Sequence, residues 1–201
     1  LSLSLQLTVL GSSGALPAYG RFPSAQLLTI DNRPYLIDCG EGVQMQLAKV
    51  GASLHKINHI FISHLHGDHY LGLAGLLFSM HLNKRENDLH LYSFRGLDEI
   101  LLAQLKYSKS TLNYRLIFHS LTPHLQTVIY EDEQLTVETI PLKHKLDCAG
   151  FLFKEKPKPR RIDKEKIFQG MLLQHIALLK TGKDVFNDQG DLYGIRARQS
   201  D

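Results

Sequence analysis

The residues of this chain best suited to chemistry are His64, His66, Asp68 and His69, in the run His64-Leu65-His66-Gly67-Asp68-His69. Neutral imidazole suits zinc, and a carboxylate beside it suits a second hard or borderline cation. His64 and His66, two apart, project to the same side of an extended chain. Gly67 is expected to turn a loop so that Asp68 and His69 face back toward them. The run follows Ile60-Phe61-Ile62, an apolar triplet that reads as a buried strand. Its donors would then leave the strand's C-terminal end on a loop held by a rigid scaffold. A histidine-rich surface loop is the plain alternative in a chain with 11 histidines. The density of the pattern and its place after a strand favour a metal site.

Such donors must be positioned by a framework, and the rest of the sequence supplies one. Leu3, Leu5, Leu7 and Val9 alternate with polar residues, the period of a half-buried strand. Residues 11–23, rich in Gly, Ser and Pro, form a loop. Residues 26–30 and 35–37 read as strands joined by the turn Asp31-Asn32-Arg33-Pro34. Residues 44–50 read as a short helix stopped by Gly51. Beyond the donor loop, an apolar helix is expected over 73–82 and a strand over 89–93. A helix over 97–107 has its apolar face at Leu97, Ile100, Leu101 and Leu105. Further strands are expected over 116–118, 127–130, 135–140 and 150–153. Strand-rich stretches interrupted by helices predict an α/β fold of two sheets packed face to face with helices outside.

At this point the sequence resembles a family. His-x-His-x-Asp-His after an apolar strand is similar to the signature of the metallo-β-lactamase superfamily. Four ordered blocks narrow the resemblance to ribonuclease Z, the endonuclease that trims tRNA 3′ ends. They are Leu10-Gly11-Ser12-Ser13-Gly14-Ala15-Leu16-Pro17 with Arg21 and Ser24; Leu36-Ile37-Asp38-Cys39-Gly40-Glu41-Gly42-Val43-Gln44; Ser63 to His69 with Gly72-Leu73-Ala74-Gly75-Leu76-Leu77; and Pro141-Leu142-Lys143-His144. The resemblance covers about residues 5–153 and implies an αββα sandwich. It implies one zinc on His64, His66 and His144 and a second on Asp68 and His69. It also implies a zinc-dependent endoribonuclease that removes the 3′ trailer of precursor tRNA, by attack of an activated water for which Asp68 is the proton acceptor. Asp38, at a strand end, is expected to orient a ligand imidazole, with Glu41 as a weaker candidate. Ser12, Ser13 and the amides near Gly14 are candidate phosphate contacts. The other histidines (His55, His59, His81, His90, His119, His124, His175) match no motif and are expected to be structural or at the surface.

Charge is concentrated rather than spread. Residues 154–166 hold seven basic and three acidic side chains, a larger net charge than the +3 of the whole chain. Such a cluster is the footprint of phosphate contact, and Lys158, Arg160 and Arg161 are the candidate RNA-binding residues. Pro157 and Pro159 break any helix there, Asp163 is a candidate cap for a short helix, and residues 171–180 read as a second helix closed by Gly182. The expected organisation is a metallo-β-lactamase-like domain over 1–153 and a basic helical arm and tail over 154–201. In the resembled family such an arm holds the tRNA, and subunits commonly pair as homodimers.

Two further inferences bound the reading. No apolar run approaches the ~18 residues of a membrane span, and no charged and apolar leader opens the chain. With Cys39 and Cys148 forming no disulfide framework, a cytoplasmic protein with reduced thiols is expected. Both cysteines are expected to be small buried residues with no role; sensitivity of Cys39 to modification, beside Asp38 and close to the site, is the alternative. The family draws a bridging aspartate, a last histidine ligand and a general acid from later blocks that this sequence lacks. The chain is therefore expected to carry mainly the N-terminal half of the sandwich, with its second metal site the weaker. A non-catalytic RNA-binding or partner subunit, or another phosphodiesterase of the superfamily, is the alternative.

Overall fold

A computed structural model of the chain describes residues 5–156 and 171–186. The described residues fall into two compact units, one over residues 5–154 and the other over 155–156 and 171–186. The first unit opens with strands β1 (Leu5–Gly11), β2 (Ala25–Ile30) and β3 (Arg33–Ile37), an antiparallel meander. Asp31 and Asn32 turn the β2–β3 hairpin in the left-handed region, at φ 46° and 62°, a conformation short polar side chains tolerate. From β3 onward the sheet is parallel: β4 (His59–Phe61), β5 (Leu89–Ser93) and β6 (Leu116–Ser120) follow in order. Parallel neighbours need crossovers. Helix α1 (Val43–Lys49) crosses from β3 to β4, α2 (Gly67–Tyr70) and α3 (Leu73–Leu82) from β4 to β5, and α4 (Leu97–Tyr107) from β5 to β6. The result is a six-stranded sheet in sequence order, and a second sheet of three strands, β7 (Val128–Glu131), β8 (Leu135–Leu142) and β9 (Cys148–Glu155).

The alternation of side chains along each strand builds two cores. On one face Leu27, Leu36, Ile60, Ile62, Leu89 and Leu91 pack with Leu47, Leu73, Leu76 and Leu101 of the helices. On the other, Leu28, Ile30, Tyr35, Phe61 and Tyr92 meet Leu135, Val137 and Ala149 of the three-stranded sheet. Strands β4 and β5 are buried on both faces at Ile60, Phe61, Leu91 and Tyr92. The described layers are thus helix, sheet, sheet, three of the four expected of an αββα sandwich. In the second unit, α5 (Leu173–Lys180) begins two residues later than expected.

Several expectations need correction. Leu5, Leu7 and Val9 are not buried: they are 65%, 53% and 59% exposed. They lie on the inner face of edge strand β1, paired with Ile30, Leu28 and Gln26, where the three-stranded sheet does not cover them. The donor run is not a glycine turn. Gly67 opens the helical turn α2, and a side chain there would meet Leu71 Cδ1 at 2.8 Å. A 3₁₀ turn at Leu54–Lys56 had no signature in the sequence.

Candidate metal centre

Parallel pairing of β3 and β4 aligns Ile37 with Phe61, so the residues that follow each strand emerge together at their carboxyl ends, the usual site of function in open α/β sheets. Asp38 leaves β3 with its N–H donated to Phe61 O at 2.8 Å. Its φ of 57° throws the carboxylate across the strand ends. There Oδ1 accepts from the Ser63 N–H at 2.9 Å, and Oδ2 accepts from Ser24 Oγ at 3.0 Å and meets His69 Nδ1 at 2.7 Å. Asp38 is 4% exposed, so these partners replace water for a buried carboxylate.

The turn α2 is clamped from below by the 38–40 segment. Cys39 N–H donates to His69 O at 2.7 Å and Gly72 N–H to Cys39 O at 2.9 Å. The approach is close enough to require glycine on both sides: a Cβ at Gly72 would sit 2.0 Å from Gly40 O, and one at Gly40 2.6 Å from Asp68 O. His64 extends from the end of β4 and is buried, while His66 precedes the first residue of α2. His144 arrives from the other sheet, two residues beyond β8.

These three imidazoles converge. His64, His66 and His144 each offer a nitrogen within 4.8 Å of the others, and their ring centroids lie 4.7 to 4.9 Å apart. His64 Nε2 and His66 Nδ1 are 3.2 Å apart, close to the ~3.3 Å that two nitrogens span around a tetrahedral ion at about 2.0–2.1 Å. Burial, with the nearby imidazoles of His69 and His144 outweighing the pull of Asp38, lowers His64 to about 4, so it is neutral and open to a cation at pH 7. The donor set and its spacing therefore fit a divalent metal. Among the described residues it is the one group of three such donors. Asp68 and His69 stand beside it, His69 Nε2 3.5 Å from Asp68 Oδ2. Burial works against protonation of His69, but its hydrogen bond to Asp38 and the charges of Asp38 and Asp68 raise its pKa overall.

Other expected site residues fare unequally. Ser13 is turned inward to its own loop, donating its N–H to Phe22 O at 2.8 Å and its hydroxyl to Leu16 O at 2.6 Å, so neither donor faces a ligand. Cys39 is fully buried, as expected of a small core residue, and burial with the charge of Asp38 pushes its thiol well above the usual range. Glu41 is exposed and takes no part. Lys158, Arg160 and Arg161 lie outside the described residues. Sequence reasoning also missed that His59, His90 and His119 gather on one sheet face, since only strand register brings them together.

With this geometry in place, comparison with known proteins is informative. The sequence profile of the family described as anti-Pycsar protein Apyc1 matches residues 5–168. Ribonuclease Z of Bacteroides fragilis is 40% identical over 188 residues, which is 93% of this chain and 62% of that protein. The chain thus spans about three fifths of the length of this relative. The crystal structure of human tRNase Z, short form, superposes with a TM-score of 0.69 at 31% identity, covering 76% of this chain and 66% of that one. A metallo-β-lactamase fold protein of Bacillus subtilis superposes at 0.58 with 19% identity, covering 81% of this chain and 65% of that one.

Proposed function

This chain belongs to the anti-Pycsar protein Apyc1 family and is a homologue of ribonuclease Z within the metallo-β-lactamase superfamily, and from that premise we propose that the protein it represents hydrolyses phosphodiester bonds, removing the 3′ trailer of precursor tRNA. The observation that carries the reading is the convergence of His64, His66 and His144 from two different sheets, in a chain 40% identical to a ribonuclease Z. We assign these three to one zinc ion, and Asp68 with His69 to a second. When bound, zinc supplies an activated water and charge stabilisation at the phosphate oxygens. Asp68, carried by the helical turn α2, would serve as the proton acceptor for the attacking water. Asp38 holds the Nδ1 side of His69 and so fixes which nitrogen faces the centre. The second unit, with Lys158, Arg160 and Arg161, holds the tRNA body, and paired subunits present tRNA to each other's centres.

A second reading takes up the match to the Apyc1 family profile: another phosphodiesterase of the superfamily, for which we propose a smaller substrate. The two are separated by assaying precursor tRNA and a nitrophenyl phosphodiester with the full-length protein. Under the first, replacing Lys158, Arg160 and Arg161 with alanine weakens tRNA binding. It also flattens the dependence of log affinity on log salt by roughly 0.7–0.9 for each phosphate no longer neutralised. Cleavage of the small diester stays the same. Asp68→Ala abolishes cleavage of both, since general base help alone is worth about 10²- to 10⁴-fold. Loss of both activities in the triple variant, or an unaltered salt slope, would make the basic segment a structural linker and remove its role in holding tRNA.

A further inference from the structure

At the amino ends of the parallel strands, away from the metal centre at their carboxyl ends, the first unit holds a cavity of about 520 Å³. Its wall includes Arg33 and Tyr35 on β3, Lys56 and Asn58 ahead of β4, Asn87 ahead of β5, and Tyr130 on β7. No acidic side chain lines it. Lys56 is exposed, and among the described residues no ion pair uses it. Arg33 gives one N–H to Asp132 Oδ2 at 2.7 Å, and a guanidinium has five. Arg85, 1% exposed, is bonded to three of the lining residues from behind. It donates to Asn58 Oδ1 at 2.7 Å, to Asn87 O at 2.8 Å and to His55 O at 3.4 Å, and also to Asp88 O at 2.7 Å and Leu54 O at 3.3 Å. All five acceptors are neutral. So is the Tyr114 ring, 5.4 Å from Arg85 Cζ, while the Asp88 carboxylate is engaged by Arg115. A buried cation thus stands behind the cavity with no carboxylate bonded to it, an arrangement that is costly unless its field is answered.

We propose that this cavity binds a purine nucleoside monophosphate, its phosphate taken by Lys56 and Arg33 in the field of Arg85 and its base read by the carboxamides of Asn58 and Asn87. A phosphate monoester carries more than one negative charge near neutral pH, so it answers the charge that Arg85 and Lys56 leave without a counterion. The dipoles between them carry that charge forward. With Oδ1 of Asn58 fixed on Arg85 at 2.7 Å, its –NH₂ is left as a donor at the wall. Asn87 spends only its backbone carbonyl on Arg85, and its exposed side chain keeps both a donor and an acceptor. That pairing matches the N6 and N7 edge of adenine, which asparagine reads with two hydrogen bonds. Inorganic phosphate meets the same cations but leaves most of the cavity unfilled; a volume within the ~300–1,000 Å³ of small-molecule sites suits a whole nucleotide. Neither the metal centre nor the 154–166 segment takes part, so this assignment stands apart from the proposed catalytic function.

The test uses the 201-residue chain stripped of metal, kept in chelator and carrying Lys158→Ala, Arg160→Ala and Arg161→Ala. Neither the metal centre nor the basic segment then offers phosphate a competing place. Adenosine 5′-monophosphate, adenosine and inorganic phosphate are titrated by calorimetry, and backbone amide shifts in nuclear magnetic resonance locate each. The nucleotide is expected to bind at one site and to move the amides of Arg33, Lys56, Asn58 and Asn87 more than those of Asp38, His64 and His66. Adenosine and inorganic phosphate are each expected to bind at least tenfold more weakly. Lys56→Glu is expected to weaken the nucleotide by about tenfold or more, the worth of one charge-assisted contact. Lys106→Glu, the same change of charge at an exposed residue of α4, is expected to change nothing. No binding of the nucleotide, equal affinity in Lys56→Glu, adenosine or inorganic phosphate binding as tightly, or shifts confined to the metal centre would overturn the proposal.

Discussion

Asp38 is the residue at which backbone conformation and site chemistry meet. Its left-handed φ costs little for a short polar side chain, and the carboxylate so placed serves Ser24, Ser63 and His69 at once. Two substitutions separate holding a donor from being one. His66→Ala removes a nitrogen from the triad, and the metal retained after dialysis is expected to fall sharply. Asp38→Asn keeps every donor and tolerates the same φ, but gives His69 a neutral amide partner. Its metal affinity is expected to drop by about 10- to 100-fold, with a loss of stability of about 1–3 kcal/mol. Metal analysis and urea denaturation measure the two effects. Equal metal retention by His66→Ala and the parent would remove His66 from the centre.

Among elements, β4 joins the two histidine groups, with His59 at its start and His64 just beyond its end. His59 is packed against His90, Tyr92, Tyr35 and Tyr130. Burial, then the imidazoles of His90 and His119 and, more weakly, Arg85, lower it to about 4 against the opposing pull of Asp132. Between the unfolded value near 6.5 and about 4, the unfolded chain binds a proton that the folded chain refuses, so stability falls as pH drops through that window. The urea midpoint of the metal-free chain is expected to decline from about pH 6.5 to about 4. His59→Phe should decline less, because its ring stays in the stack but does not titrate. Parallel declines in the two proteins would show that His59 does not contribute.

At the scale of the whole molecule, the first unit sets six strands against three, in a chain about three fifths the length of the relative it matches. Leu5, Leu7 and Val9 form a stripe of apolar side chains on the inner face of β1 that is left exposed among the described residues. Contiguous exposed apolar surface promotes association. The 201-residue chain is expected to bind a hydrophobic dye and to scatter light as its concentration rises. Leu5→Lys with Leu7→Lys should reduce both while changing stability by only about 0.5 kcal/mol. Unchanged dye binding in the double variant would place the sticky surface elsewhere. No helix among the described residues is long and apolar enough to cross a membrane.

What the sequence determined by itself was local or carried by ordered motifs. Strand and helix positions in the first unit follow from period-2 and period-3.6 patterns, which depend only on neighbouring residues. The donor types between His64 and His69, and the blocks around Asp38 and His144, were legible for the same reason. Tertiary structure decided what depends on partners distant in the chain. It made Gly67 the start of a helical turn and set Gly72 tightly against Gly40. It tied up Ser13 in its own loop and buried Cys39. It left the alternating face of β1 exposed, since an amphipathic strand shows which side is apolar but not whether a second sheet reaches it. It also gathered His59, His90 and His119, which are 29 or more positions apart in sequence and share no motif. Only parallel register, fixed by the crossovers through α3 and α4, sets their rings side by side.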